Sequence, residues 1–254
     1  MKKILLFLIS ALIFGCVLPV NAVGKEYHFY IKRGQNHVPP TTDVAFDGIW
    51  GEDCCYRDIN ASKNNEKKIY LTFDAGYENG NVQRILDILK KENVPGAFFV
   101  LSHLIKSAPA VVTRMREEGH LVCNHTAHHK NMAQRTKEEF VREILDLEKA
   151  YQDAEGQAIA KFYRPPEGSF SLENVAWASE MGYKTVFWSL AYCDWNDSVA
   201  PSDDKAIQIL KDNTHPGAIV LLHPTSAINV NVLSRMISYW RAEGYTFGTL
   251  QELL

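Results

Sequence analysis

The stretch that decides the fold is Ile69-Tyr70-Leu71-Thr72-Phe73-Asp74-Ala75-Gly76. β-branched and aromatic residues crowd its first half, Lys67 and Lys68 precede it, and Gly76 and Gly80 follow, which is the pattern of a short buried strand. An Asp at the exit of such a strand is held by rigid backbone while its side chain can face a cleft; taken alone, it would as readily cap the next helix or turn. Three later stretches end an apolar run with chemically useful groups: His125-Thr126-Ala127-His128-His129, Arg164-Pro165-Pro166-Glu167-Gly168 and Leu221-Leu222-His223.

Outward from that strand, apolar runs of strand length recur at 69–73, 96–101, 120–123, 160–163, 185–188 and 218–222. Helical stretches lie between or after them at 81–92, 108–118, 137–152, 172–181, 203–212 and 227–243. Phe140, Ile144, Leu147 and Tyr151 make one apolar stripe at helical spacing, and Thr136 with Glu139 three residues on reads as a capping box. Gly119, Gly182 and Gly244 fall just past helices, where a left-handed C-cap favours Gly. This alternation predicts an α/β fold with a parallel sheet, closed as a distorted (β/α) barrel, whose chemistry gathers at the C-terminal ends of the strands. Asp74, His125, Arg164, Asp194 and His223 all fall there, which is the reason to treat them as one site.

With 254 residues, 46% apolar and 22% charged, the chain reads as an ordinary globular protein long enough for one large core. A net charge of −3 and the lack of a Lys/Arg block give no electrostatic case for nucleic acid. Lys2 and Lys3 precede an apolar run from Ile4 to Val20, and Val20-Asn21-Ala22 supplies a small-residue cleavage pattern, so residues 1–22 are expected to be a secretory signal peptide. The run is short for a membrane span and is broken by Gly15, Pro19 and Asn21, which favours cleavage over a retained anchor. Processing as a lipoprotein at Cys16 is the lesser alternative, because Phe14 fits that pattern badly. The expectation is a secreted, extracytoplasmic monomer without a membrane span once the signal is removed. Residues 23–66, irregular and carrying Pro39-Pro40 with Tyr27, Phe29, Tyr30 and Trp50, read as an N-terminal arm packed on a main domain of residues 67–254. Cys54, Cys55, Cys123 and Cys193 show no Cys-x-x-Cys spacing. Adjacent Cys54 and Cys55 can hardly bridge each other without strain, and a disulfide from either of them to another partner is left open.

His125 and His129 are four apart, so on a helical turn both imidazoles would face one side and could clamp a metal; His128, three from His125, competes with His129. Neutral imidazole suits zinc, and cobalt, nickel or iron fit the same donors. Arg164 offers a planar fork of donors to a carboxylate and cannot lose its proton. His223 is a candidate general acid or a buried hydrogen-bonded histidine, and Asp194-Trp195 could orient it and line an apolar wall.

Together these stretches resemble the polysaccharide deacetylases of the NodB-like group, carbohydrate esterase family 4, over residues 67–254. The resemblance is carried by Thr72-Phe73-Asp74-Ala75-Gly76, His125-Thr126-Ala127-His128-His129, Arg164-Pro165-Pro166-Glu167-Gly168, Asp194-Trp195 and Ile219-Val220-Leu221-Leu222-His223, five motifs in the family's order. A narrower likeness lies in Tyr77-Glu78-Asn79-Gly80, Asn36-His37-Val38-Pro39-Pro40 and the run from Phe187 to Trp195. These segments resemble the branch that forms muramic δ-lactam in spore-cortex peptidoglycan. The resemblance implies a divalent metal, zinc or else cobalt, on His125 and His129. It implies Asp74 as general base held by Arg164, and His223 as general acid oriented by Asp194. It also places Glu167, Trp195, Leu221 and Tyr77 against the substrate, a peptidoglycan or related glycan. One departure stands out: most of the family has an Asp ligand at position 75 and the δ-lactam branch commonly Asn, whereas this chain has Ala75. The implied activity is metal-dependent removal of N-acetyl groups from muramic acid. The alternatives are deacetylation of N-acetylglucosamine, chitin or xylan, and a non-catalytic glycan-binding protein. No Gly-x-Ser-x-Gly elbow supports serine-hydrolase chemistry.

Overall fold

The structure, a computed structural model, describes residues 24–34, 36–196 and 198–254; the expected signal peptide lies outside them. The chain opens with β1 (Tyr27–His28), β2 (Cys54–Cys55) and α1 (Ile59–Asn64), and the decisive stretch then forms β3 (Lys68–Ala75). Next come α2 (Asn81–Glu92), β4 (Ala97–Val100), α3 (Ser102–Ser107), α4 (Pro109–Glu117), β5 (Leu121–Asn124), α5 (Lys137–Glu155) and β6 (Ala160–Tyr163). The rest is β7 (Ser169–Phe170), α6 (Leu172–Glu180), β8 (Lys184–Val186), α7 (Asp203–Asn213), β9 (Ala218–Leu222), α8 (Ala227–Ala242) and β10 (Thr246–Phe247).

Eight strands form one parallel sheet in which β3 lies centrally: β4, β5, β6, β8 and β2 follow on one side, β9 flanks the other, and β10 pairs the start of β3. From β8 toward β9 the ladder shrinks to a single parallel bridge, Leu190–Val220, so the sheet curls into a half-barrel that is incompletely closed. α5 keeps the expected capping box at Thr136 and Glu139, and its stripe of Phe140, Ile144, Leu147 and Tyr151 is buried. Helices α2, α7 and α8 cover the face behind β3 and β9, with Trp240 fully buried and its indole N–H bonded to Thr214 at 2.8 Å. Such apolar faces, buried against one sheet, supply the main driving force for the fold.

Three local expectations change. The strand read at 185–188 ends at Val186 because the carbonyls of Val186 and Phe187 turn to the Arg164 guanidinium, at 3.0 and 3.2 Å. The N-terminal arm is more ordered than its irregular sequence implies. It contributes β2 as an edge strand on β8, pairs β1 with β7, and packs Phe29, Phe46, Trp50 and Tyr56 around Phe170 and Phe187. Phe29 and Phe187 lie 4.4 Å apart between ring centroids. Cys54, Cys55, Cys123 and Cys193 are all free thiols, the first three buried, so the open question of a disulfide at Cys54 or Cys55 is answered in the negative. No described helix is long and apolar enough to cross a membrane.

Candidate active site

Strand register brings the candidate residues together. Phe73 pairs Leu222, so Asp74 and His223 leave neighbouring strands side by side, while Arg164 N donates to Asn124 O and sets Arg164 beside His125. Arg164 is fully buried yet every part of its fork is used. Nη1 donates to Asp74 Oδ1 at 2.7 Å, Nη2 to Thr72 Oγ1 at 2.9 Å, and the remaining donors go to the carbonyls already named. Its guanidinium also lies 4.1 Å from the centroid of the Phe99 ring. Burial would oppose ionisation of Asp74, but the Arg164 charge, with smaller help from His125 and His223, outweighs it and holds the carboxyl below its usual range. Asp74 is therefore an anion at neutral pH.

His125 donates from Nδ1 to Arg164 O at 2.8 Å, which fixes its tautomer and leaves Nε2 unprotonated, 3.6 Å from Asp74 Oδ2. Burial pushes the His125 pKa down to about 4, so the ring is neutral. His129 lies beside it, ring centroids 5.0 Å apart. The two imidazoles do not converge on a helical turn, as the spacing had implied. Residues 125–130 form a loop in which Thr126 and His129 adopt left-handed backbone, φ 69° and 54°. A β-branched residue there is costly and persists only where the surroundings enforce it. Here the Thr126 hydroxyl accepts from His129 N at 3.0 Å and its N–H reaches Asn124 Oδ1 at 2.9 Å.

Of His128 and His129, the first is engaged by Glu143, a buried carboxylate on α5 that the sequence reading did not single out. Its side chain accepts from His128 N at 2.9 Å and from His128 Nδ1 at 3.0 Å, and Lys130 closes on it at 2.8 Å. His128 is thereby turned to solvent-exposed surface. The signal was present as one Glu on the buried side of the α5 stripe, three residues after Phe140.

A neutral imidazole nitrogen and a carboxylate oxygen face one another with no hydrogen-bond donor between them among the described residues, an arrangement that favours a cation. His125 Nε2 therefore suits a divalent metal, with the His129 ring, 5.0 Å away between centroids, as a second imidazole within reach. Ala75 is buried and offers no donor, and among the described residues no group of three or more His, Cys, Asp or Glu side chains is arranged to hold one. That is fewer ligands than the three usual for catalytic zinc, and leaves the other positions to water and substrate.

Opposite Asp74, His223 donates from Nδ1 to Asp194 Oδ1 at 2.7 Å, and its backbone N–H reaches Asp194 Oδ2 at 2.7 Å. Burial lowers the imidazole pKa, but the Asp194 hydrogen bond and charge more than offset this and raise it above the ordinary value. Leu221 is buried in β9 beneath this pair, whereas Trp195 and Tyr77 are exposed, 65% and 51%. Trp195 is a rim residue and not part of a buried wall. Glu167, also exposed, has left-handed backbone at φ 59° within its Pro-Pro turn.

Comparison with known proteins agrees with this fold. The family Polysaccharide deacetylase matches residues 61–186. Peptidoglycan-N-acetylmuramic acid deacetylase PdaA of Bacillus subtilis (strain 168) is 34% identical over 246 residues, spanning 96% of this chain and 92% of that protein. The solved structure of Bacillus subtilis PdaA, a family 4 carbohydrate esterase, gives a TM-score of 0.84 over 93% of this chain and 98% of its own. A Peptidoglycan-N-acetylglucosamine deacetylase of Bacillus cereus is 32% identical over 193 residues, 74% of this chain and 69% of that protein.

Proposed function

The chain belongs to the polysaccharide deacetylase family, and from that premise we propose that it removes N-acetyl groups from muramic acid residues of peptidoglycan, on the route to muramic δ-lactam in spore cortex. The substrate choice is supported by the 34% identity to a protein named for that sugar over nearly the full length of both. A cell-wall substrate requires action outside the cytoplasmic membrane, in keeping with the expected signal at residues 1–22.

The observation that carries the chemistry is the pairing of two opposed units across one strand junction: Asp74 held anionic by Arg164, and His223 held protonatable by Asp194. A divalent metal on His125 and His129, zinc or cobalt, would polarise the acetyl carbonyl and a water molecule. Asp74 takes the proton of the attacking water, and Arg164 keeps the carboxylate aimed and ionised. The backbone N–H of Glu167 would be the donor to the developing oxyanion. His223 gives its Nε2 proton to the departing amine while Nδ1 stays on Asp194. Leu221 bounds the acetyl methyl, and Trp195 and Tyr77 stand at the rim where a sugar would rest.

The test is acetate release from purified cortex-type glycan strands, with zinc or cobalt added, followed by mass spectrometry of the digested strands. Free amine on muramic acid is the expected result; free amine on glucosamine alone would overturn the sugar assignment. Ala75 favours one second reading, a glycan-binding protein without turnover. That reading requires retained glycan binding and no acetate release with any divalent metal.

A further inference from the structure

We propose that Asn229 is a positioning residue that clamps Asp194 and His223 into one proton-delivering unit, an inference that rests on His223 being the acid for the departing amine. Asn229 sits in the first turn of α8 and is fully buried. Its side-chain NH₂ donates to Asp194 Oδ2 at 2.5 Å and to His223 O at 2.9 Å, while its Oδ1 accepts from the Tyr192 hydroxyl at 2.6 Å. Two acceptors on one side and a hydroxyl on the other permit a single amide orientation. Asn is a poor residue for a helix and a poor one for an apolar core, and such local rule-breaking concentrates at functional sites.

The geometry gives the clamp its purpose. Asp194 is 1% exposed, and a carboxylate so buried needs hydrogen-bond donors on both oxygens. His223 supplies two of them, its ring N–H and its backbone N–H; Asn229 supplies the third and ties it back to the His223 carbonyl. The ring plane of His223 is therefore set by a closed circuit from β9 through α8. Tyr192 extends that circuit to the segment before Asp194. Without Asn229, the Asp194 carboxylate keeps, among the described residues, only the hydrogen bonds of the group it is meant to aim.

Asn229→Ala, and Asn229→Asp, which keeps the size but replaces the donor, are compared with wild type. On the glycan amide kcat should fall about 10–100-fold with little change in KM, the cost of misaiming a proton donor. On an aryl acetate, whose phenolate leaves without a proton, the rate should hold to within about threefold. Tyr192→Phe, the gentler change, should show the same selectivity with a smaller loss. In wild type the His223 Nδ1–H should give a low-field, slowly exchanging proton resonance that both Asn229 variants lose. Equal loss on both substrates in all three variants, or retention of that resonance, overturns the proposal. His223→Ala separates the two levels: loss confined to the amide supports its role as acid, and equal loss on both substrates rejects that role independently of Asn229.

Discussion

A single side chain, Arg164, shows how the site is assembled, because it serves the fold and the chemistry with the same donors. Asp74→Asn should lower turnover by roughly 10²–10⁴-fold, the usual range for a removed general base, and should also cost about 3–5 kcal/mol of stability by leaving the buried Arg164 charge uncompensated; steady-state acetate release with urea titration checks both. Arg164→Lys is not conservative, since an ammonium cannot span Asp74, Thr72 and two carbonyls at once. Ala75→Asp places a carboxylate at the position where most of the family has a ligand. It should tighten zinc or cobalt binding by about tenfold or more, read by titration calorimetry, as expected when a missing donor is restored. At this scale the sequence was informative wherever a residue ends a strand: Asp74, His125, Arg164 and His223 were all found from that position. Glu143 and Asn229 were not, because they reach the site from helices, where sequence distance says nothing about spatial neighbours.

Among the elements, the loop at 125–130 and the arm carry the most consequence. Glu143→Ala removes the acceptor for His128 and Lys130, freeing a loop that already holds two left-handed non-glycine residues. Metal affinity, read by zinc titration, should fall by less than the roughly 10–100-fold seen when a direct outer-shell partner of a metal ligand is lost, because Glu143 holds the loop through His128 and Lys130 and not the His125 or His129 ring. The arm predicts a stability effect remote from chemistry. Phe29 is 7% exposed against Phe187, Trp50 and Tyr56, so Phe29→Ala should cost about 3–5 kcal/mol in urea denaturation. Six strands and six helices were legible with ends close to those observed, since their hydrophobic periods are long enough to read. β1, β2, β7 and β10 have two residues each, too few for any period, and they exist because tertiary pairing supplies what local pattern lacks. The His125–His129 spacing misled for a related reason, since a spacing of four also fits a tight loop when backbone turns left-handed.

For the whole molecule the clearest expectation concerns acid. His120 and His215 lie outside the reaction centre, are buried, and have their pKa values pushed down to about 4 by burial, against 6.5 in an unfolded chain. Between those values the unfolded state binds more protons than the folded one, so stability rises with pH across that window and falls as the solution is acidified below 6.5. The loss down to pH 4 should be on the order of a few kcal/mol, measured by urea denaturation at pH 7, 5.5 and 4.5. Replacing His215 by Asn should flatten the slope.

The guanidinium of Arg164 also makes the acidity of one group a gauge of assembly. Its partners come from β3, from the end of β8 and the residue after it and, through its own backbone, from β5, stretches far apart along the chain. Until those three have met, nothing favours the ionisation of Asp74, which would titrate as any solvated carboxyl does. A carbon-13 label on that one carboxyl would thus report, in a refolding experiment, the moment when the mouth of the half-barrel becomes complete.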